Sequence, residues 1–219
     1  MKINDLIRRS WQVADDKGWH DRPRSDRTYE TLFHSEVSEY AEEVRGNKDA
    51  VYDNWSKALD AEGRAPQSYY DHHGNIETNL EGFLPKPEGL AVELVDLMIR
   101  WGDYLGEKKV VDGPHGDHED HGTEQMAADF AALADKGALI AQLALDEPME
   151  YAALLHRHIS SIFENFEAGD VEMASYELGS LSPMVLVMFA HKGWDFDAVF
   201  ERKMAYNARR PYRHGGKAV

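Results

Sequence analysis

The 219-residue chain reads as an all-α protein. Three observations predict this. Apolar residues recur at steps of three and four along most of its length, alternating strand patterns are nearly absent, and Gly and Pro punctuate the segments where helices should stop. The hydrophobic fraction of 42% is enough for a core. There are no cysteines, which excludes disulfides and thiolate metal sites. The formal net charge of −16 argues against duplex nucleic acid as a partner, because a phosphate backbone needs Lys and Arg to neutralise it. No segment reads as a signal peptide or a membrane span, so the expectation is a soluble, cytoplasmic protein with no membrane partner.

The elements follow in order. Ile3, Leu6, Ile7, Trp11 and Ala14 mark one face of a first helix that Gly18 stops. Asp26 is placed to cap a second helix, closed by Gly46, with a stripe of Leu32, Val37, Tyr40, Ala41 and Val44. Lys48 to Ala61 reads as a weaker helix and 63–88 as a loop with turns. Pro87 is placed to open a helix running to about Gly106. The polar, His-rich run 111–122 reads as an exposed connector, in which His115, His118 and His121 could hold a metal only weakly. Further helices are expected from Glu124 to Asp146, from Pro148 to Ala168, after the cap Asp170 with a bend or split at Pro183, and from the cap Asp195 to about Arg209. The division is thus a helical half over 1–110, the connector 111–122, and a second helical half over 123–219 with a basic tail packing on the first.

Chemistry concentrates in two helices. Glu36, Glu39 and Glu43 share a strip beside the apolar stripe of the second helix, as residues three and four apart do. Glu93 and Asp96 repeat an i, i+3 pair inside the apolar run Leu90 to Ile99. A helix apolar all round is buried, and buried acids must be paired, protonated or bound to metal. Two such pairs can build a hard-oxygen site for Mg²⁺, or Mn²⁺. Lys203, Asn207 and Arg210 lie along one face of the last helix, spaced to touch one anionic ligand, or simply to complement a helix C-terminus. Trp19 leads as a flat aromatic wall for a ligand, ahead of Trp55 and Trp101; large aromatics are more often core.

At these residues the chain resembles a known family. Glu36-Val-Ser-Glu39, Glu93-Leu-Val-Asp96 some fifty residues on, and the Lys203, Asn207 and Arg209-Arg210 ending resemble the MazG-like all-α nucleoside triphosphate pyrophosphohydrolases of phage and bacterial type. The resemblance covers residues 1–105 and about 193–217. It departs from the family in the roughly 85 residues between the acidic helices and the tail. It implies a four-helix-bundle core of MazG-like type with additional C-terminal helices, and Glu36, Glu39, Glu93 and Asp96 holding Mg²⁺ against the triphosphate. It implies a catalytic set of Glu36, Glu39 and Glu43, with Glu43 orienting the attacking water. Lys203, Asn207, Arg210 and Trp19 would contact substrate, giving a nucleoside monophosphate and pyrophosphate. Monomer and homodimer both stay open.

A faint repeat equates His34, Glu36 and Glu39 with His156, His158 and Ser161, and Glu93 and Asp96 with Glu177 and Ser180; Lys17-Gly18-Trp19 recurs as Lys192-Gly193-Trp194. It suggests a degenerate internal duplication. Rival readings are a histidine–aspartate phosphohydrolase using His20 and Asp21, a di-iron carboxylate bundle, for which no Glu-x-x-His is present, and a non-catalytic helical interaction protein.

Overall fold

A computed structural model describes residues 1–70, 73, 76–109, 123 and 142–213. The described residues form six helices and two small antiparallel two-stranded sheets, so the fold is all-α in character. The helices are α1 (Ile3–Asp16), α2 (Asp26–Arg45), α3 (Leu90–Glu107), α4 (Pro148–Ala168), α5 (Val171–Lys192) and α6 (Phe196–Arg209); the strands are β1 (Tyr52–Leu59), β2 (Ser68–Tyr70), β3 (Ile76–Thr78) and β4 (Leu84–Glu88). The expected connector with His115, His118 and His121, most of the helix expected from Glu124, and the tail from His214 on lie outside the described residues.

Helix α3 is the axis of the molecule. Thirteen of its residues are buried, and α1, α2, α5 and α6 all pack against it. Its near-continuous apolar sequence requires that many partners, since no single face could hide it. Helix α2 runs antiparallel to it: Asp26 pairs with Lys108 at one end and Glu36 with Arg100 further along. Helix α4 lies antiparallel on α2, with Tyr40 against Tyr151 and Arg27 paired to Glu167. Helix α5 closes the bundle, where the indole N–H of Trp101 donates to the Leu178 carbonyl at 2.9 Å. Thus α4 and α5 supply the two helices that complete the four-helix arrangement begun by α2 and α3. Helix α1 approaches α3 so closely that a Cβ at Gly102 would sit 2.8 Å from a methyl of Leu6.

Several sequence expectations need correction. Lys48 to Ala61 is not a helix. Tyr52–Leu59 is strand β1, paired with β4 through Tyr52 and Glu88, Asp53 and Pro87, and Leu59 and Leu84. The Val51–Trp55–Leu59 spacing mimics a helix, but tertiary pairing decides, as it readily does for a short, weakly helical segment. Residues 63–88 are not only loop, since they contain β2, β3 and β4. Pro87 lies in β4 and does not open α3. The N-cap is Gly89 at φ 121°, and the free amides of Leu90 and Ala91 donate to the carbonyls of Asp49 and Ala50. A Cβ at Gly89 would lie 2.5 Å from the Asp49 oxygen, so glycine is required there on both counts. Ser25, not Asp26, caps α2, accepting from the Thr28 amide. Pro183 does not split α5, which is one continuous helix. That helix is also long and apolar enough to cross a membrane by length and composition, although 61% of its most apolar window is buried.

The repeat divides into two findings. The two Lys-Gly-Trp segments are the same helix-stop device: Gly18 and Gly193 both take positive φ, and Trp19 and Trp194 both donate five residues back, to Ala14 and Phe189. A common capping rule therefore accounts for that similarity. Of the other equated positions, one pair is in contact and the rest form two separate clusters. His34 stacks on His156, with their Nδ1 atoms 2.8 Å apart. His158, Ser161, Glu177 and Ser180 converge between α4 and α5, as Glu36, Glu93 and Asp96 do between α2 and α3.

Candidate functional site

Antiparallel packing of α2 on α3 brings the two acidic pairs to one level. Glu36, Glu93 and Asp96 each offer a carboxylate oxygen, and these oxygens lie within 4.8 Å of one another. Glu36 and Glu93 are only 5% and 2% exposed. They are buried because each shares its face of the helix with core residues: Val37 and Phe33 flank Glu36, and Leu94 and Leu97 flank Glu93.

Charge at this level is strongly perturbed. Burial pushes the Glu93 carboxyl up to about 9, and the nearby Asp96 carboxylate adds to the effect. Burial also raises Glu36, against the opposing pull of Arg100, whose Nε donates to its Oε1 at 2.9 Å. Asp96 is held by the Lys203 ammonium at 2.5 Å, and Lys203 is itself 2% exposed. Oε2 of Glu93 is buried with no hydrogen-bond partner. An unpartnered, buried carboxyl oxygen amid two further acids is a position where a cation could be held. Three hard oxygen donors at this separation fit a small divalent ion, and nothing in the donor set singles out Mg²⁺ over Mn²⁺.

Glu36 and Asp96, but not Glu93, line a cavity of about 350 Å³ between α1, α2, α3 and α6, to which Lys86 of β4 and the segment between α1 and α2 also contribute. Of the residues singled out from sequence, Trp19, Glu36, Glu39, Asp96, Lys203, Asn207 and Arg210 all line it. The tail helix, remote in sequence, therefore returns to the acidic helices, because α6 packs on α3. Oδ1 of Asn207 is a second buried oxygen with no partner. Of the three tryptophans weighed as a wall, Trp19 is the one on the cavity; Trp101 is core, and Trp55 is exposed on β1.

Glu43 is not brought to the cavity. Its carboxylate accepts from the Tyr52 hydroxyl at 3.2 Å, and it lies two turns beyond Glu36 in α2. Glu39 is the remaining α2 acid on the cavity, exposed at its rim. His20 and Asp21 do not act as a pair: His20 bonds to Asp103 at 2.7 Å, whereas Asp21 bonds to Tyr212 and Arg213. Arg213, just beyond α6, is fixed through its amide to the Lys17 carbonyl and through its side chain to the Gly18 carbonyl.

Sequence reasoning missed Arg100, Lys86, Arg24 and Ser10, which also line the cavity. Arg100 was discoverable, since it continues the three- and four-residue series Glu93, Asp96, Arg100, Asp103 along one face of α3. Lys86 carried no such signal, because it sits between two prolines in a strand that sequence patterning does not reveal. No family model, no curated protein and no solved structure matches this chain.

Proposed function

We propose that the cavity binds a nucleoside triphosphate with a divalent cation and hydrolyses it to a nucleoside monophosphate and pyrophosphate. The observation that carries this reading is that Glu36 and Asp96, which cluster with the buried Glu93, face one cavity together with Lys203, Asn207 and Arg210. Acids alone would suit a cation, and cations alone would suit an anion. Both together suit a cation–polyphosphate complex. The resemblance to MazG-like pyrophosphohydrolases points to the same reaction.

Glu36, Glu93 and Asp96 would hold the ion. When bound, it neutralises phosphate oxygens and lowers the pKa of water in its shell. The chain's own residues do the rest. Lys203, released from Asp96, and Arg210 meet the phosphate oxygens, and partly buried Lys86 adds a third positive charge. Asn207 accepts through its free Oδ1. Glu39 takes the proton from the water that attacks the α-phosphorus, a role its place on the cavity permits and that of Glu43 does not. Such a displacement rests on alignment and charge stabilisation and needs no protein nucleophile. A purely interacting bundle would gain nothing from an unpaired buried Glu93.

The test is Mg²⁺-dependent pyrophosphate release from a panel of nucleoside triphosphates. Asp96→Asn and Glu36→Gln are expected to lower it by about a hundredfold or more, and Glu39→Ala substantially, while Glu43→Ala retains it. Release that persists in both Asp96→Asn and Glu36→Gln would exclude this site.

A further inference from the structure

The cavity has a second end. Glu93, Asp96, Arg100 and Asp103 succeed one another on one face of α3, and from Asp96 to Asp103 the axis rises about 10 Å. A nucleoside extends over that scale from its α-phosphate. Besides Lys17, Arg24 and Asp103, the cavity wall carries the apolar or aromatic side chains of Val13, Ala14, Trp19 and Ile99.

Two polar atoms there are buried without partners: Nε of Arg24 and Oγ of Ser10. The Arg24 side chain is 5% exposed and Ser10 1%. Arg24 is held rigidly. Its Nη2 donates to Oδ2 of Asp103 at 2.8 Å, and its guanidinium lies 4.3 Å from the centre of the Tyr29 ring. The other Asp103 oxygen is engaged by His20 at 2.7 Å. What this end offers a ligand is therefore one fixed N–H, which can only donate, and one hydroxyl. The hydroxyl can donate or accept, but leaving the fixed N–H unsatisfied costs free energy, so the complementary ligand brings an acceptor to it.

We propose that this end is the nucleobase subsite, and that it selects bases carrying a ring carbonyl over those carrying an exocyclic amine at the same position. The proposal rests on the triphosphate reading above and specifies its substrate class. Ser10 Oγ can donate or accept and serves either kind of base, so the choice rests on Arg24 Nε, from which an oxo group accepts. An amine in its place presents N–H to N–H. Trp19 provides the flat wall, and the apolar side chains exclude water that would otherwise level the difference.

The experiment compares kcat/KM for two pairs of equal-sized substrates, dUTP against dCTP and dITP against dATP, in Mg²⁺. The oxo member is expected to lead by about tenfold in the ring size the enzyme accepts. Arg24→Lys, which keeps a positive charge opposite Asp103, is expected to bring the ratio toward one, whereas Ser10→Ala leaves it in place. A general loss of stability would lower both members together and leave the ratio unmoved. A wild-type ratio near one or reversed, or a ratio unchanged by Arg24→Lys, with hydrolysis intact, overturns the base assignment alone. No pyrophosphate from any of the four overturns the triphosphate reading and the base assignment with it.

Discussion

Replacing Glu93 by Gln should make the protein more stable while removing its response to metal. In the folded chain burial holds this carboxyl protonated up to about pH 9, whereas in the unfolded chain it ionises near its ordinary value of 4.5. Below pH 4.5 both states carry the proton and the acid costs nothing. As pH rises from 4.5 the unfolded state loses its proton first, so stability falls through the window up to about 9 and then levels. At pH 7 the accumulated cost is about 3 kcal/mol. With Glu93 only 2% exposed, solvent does little to screen it. Glutamine has the same shape, stays neutral at every pH, and presents an N–H to the neighbouring Asp96 and Glu36 carboxylates.

The expected result in EDTA at pH 7 is therefore a Tm higher by about 6–12 °C in Glu93→Gln, shrinking to nothing near pH 4.5. Mg²⁺ at ten times its Kd should add about 1.4 kcal/mol, or about 3–6 °C, to the wild type and nothing to the variant. Calorimetry across pH 4.5 to 8, with and without Mg²⁺, reads both effects. A variant that melts at or below wild type at pH 7 without metal would refute the reasoning, because the buried acid would then not be a liability that a cation relieves.

Two further outcomes follow from the same geometry. Lys203→Met removes the ammonium that neutralises Asp96 in a nearly closed site, so without metal it should lose about 3 kcal/mol, and urea titrations should show Mg²⁺ recovering more stability than in wild type. An unchanged midpoint would mean that the pair is not formed. Burial lowers His34 below 6.5, and burial together with the facing His34 lowers His156. The unfolded chain therefore binds protons first as pH drops below 6.5, and stability should fall from there until the folded values are passed. In His156→Phe that acid limb should be shallower, as melts between pH 7.5 and 5 will show; identical slopes would rule the pair out as its source.

Local rules made much of this protein legible in advance. Capping and opening chemistry located α4, α5 and α6, because Pro148, Asp170 and Asp195 act within a turn of where they stand. The acids of α2 and α3 were legible for a similar reason. A carboxylate pair inside an apolar run is a contradiction that only pairing, protonation or metal resolves, and the contradiction is visible before any fold is known.

Partnership between distant segments was not visible. Whether 52–59 is helix or strand depended on β4 lying beside it, and whether α3 begins at Pro87 or Gly89 depended on the carbonyls of Asp49 and Ala50 reaching its first amides. The acids Glu36, Glu39 and Glu43 look equivalent on a helical wheel. Packing alone made Glu36 a buried member of the cluster, left Glu39 on the cavity rim, and turned Glu43 to Tyr52. Sequence by itself determined which side chains could not be left in an apolar interior unaided. The tertiary structure decided which of them meet, since the convergence of α2, α3 and α6 on one cavity is set by long-range burial of apolar surface, a force that acts in no particular direction and leaves no local mark.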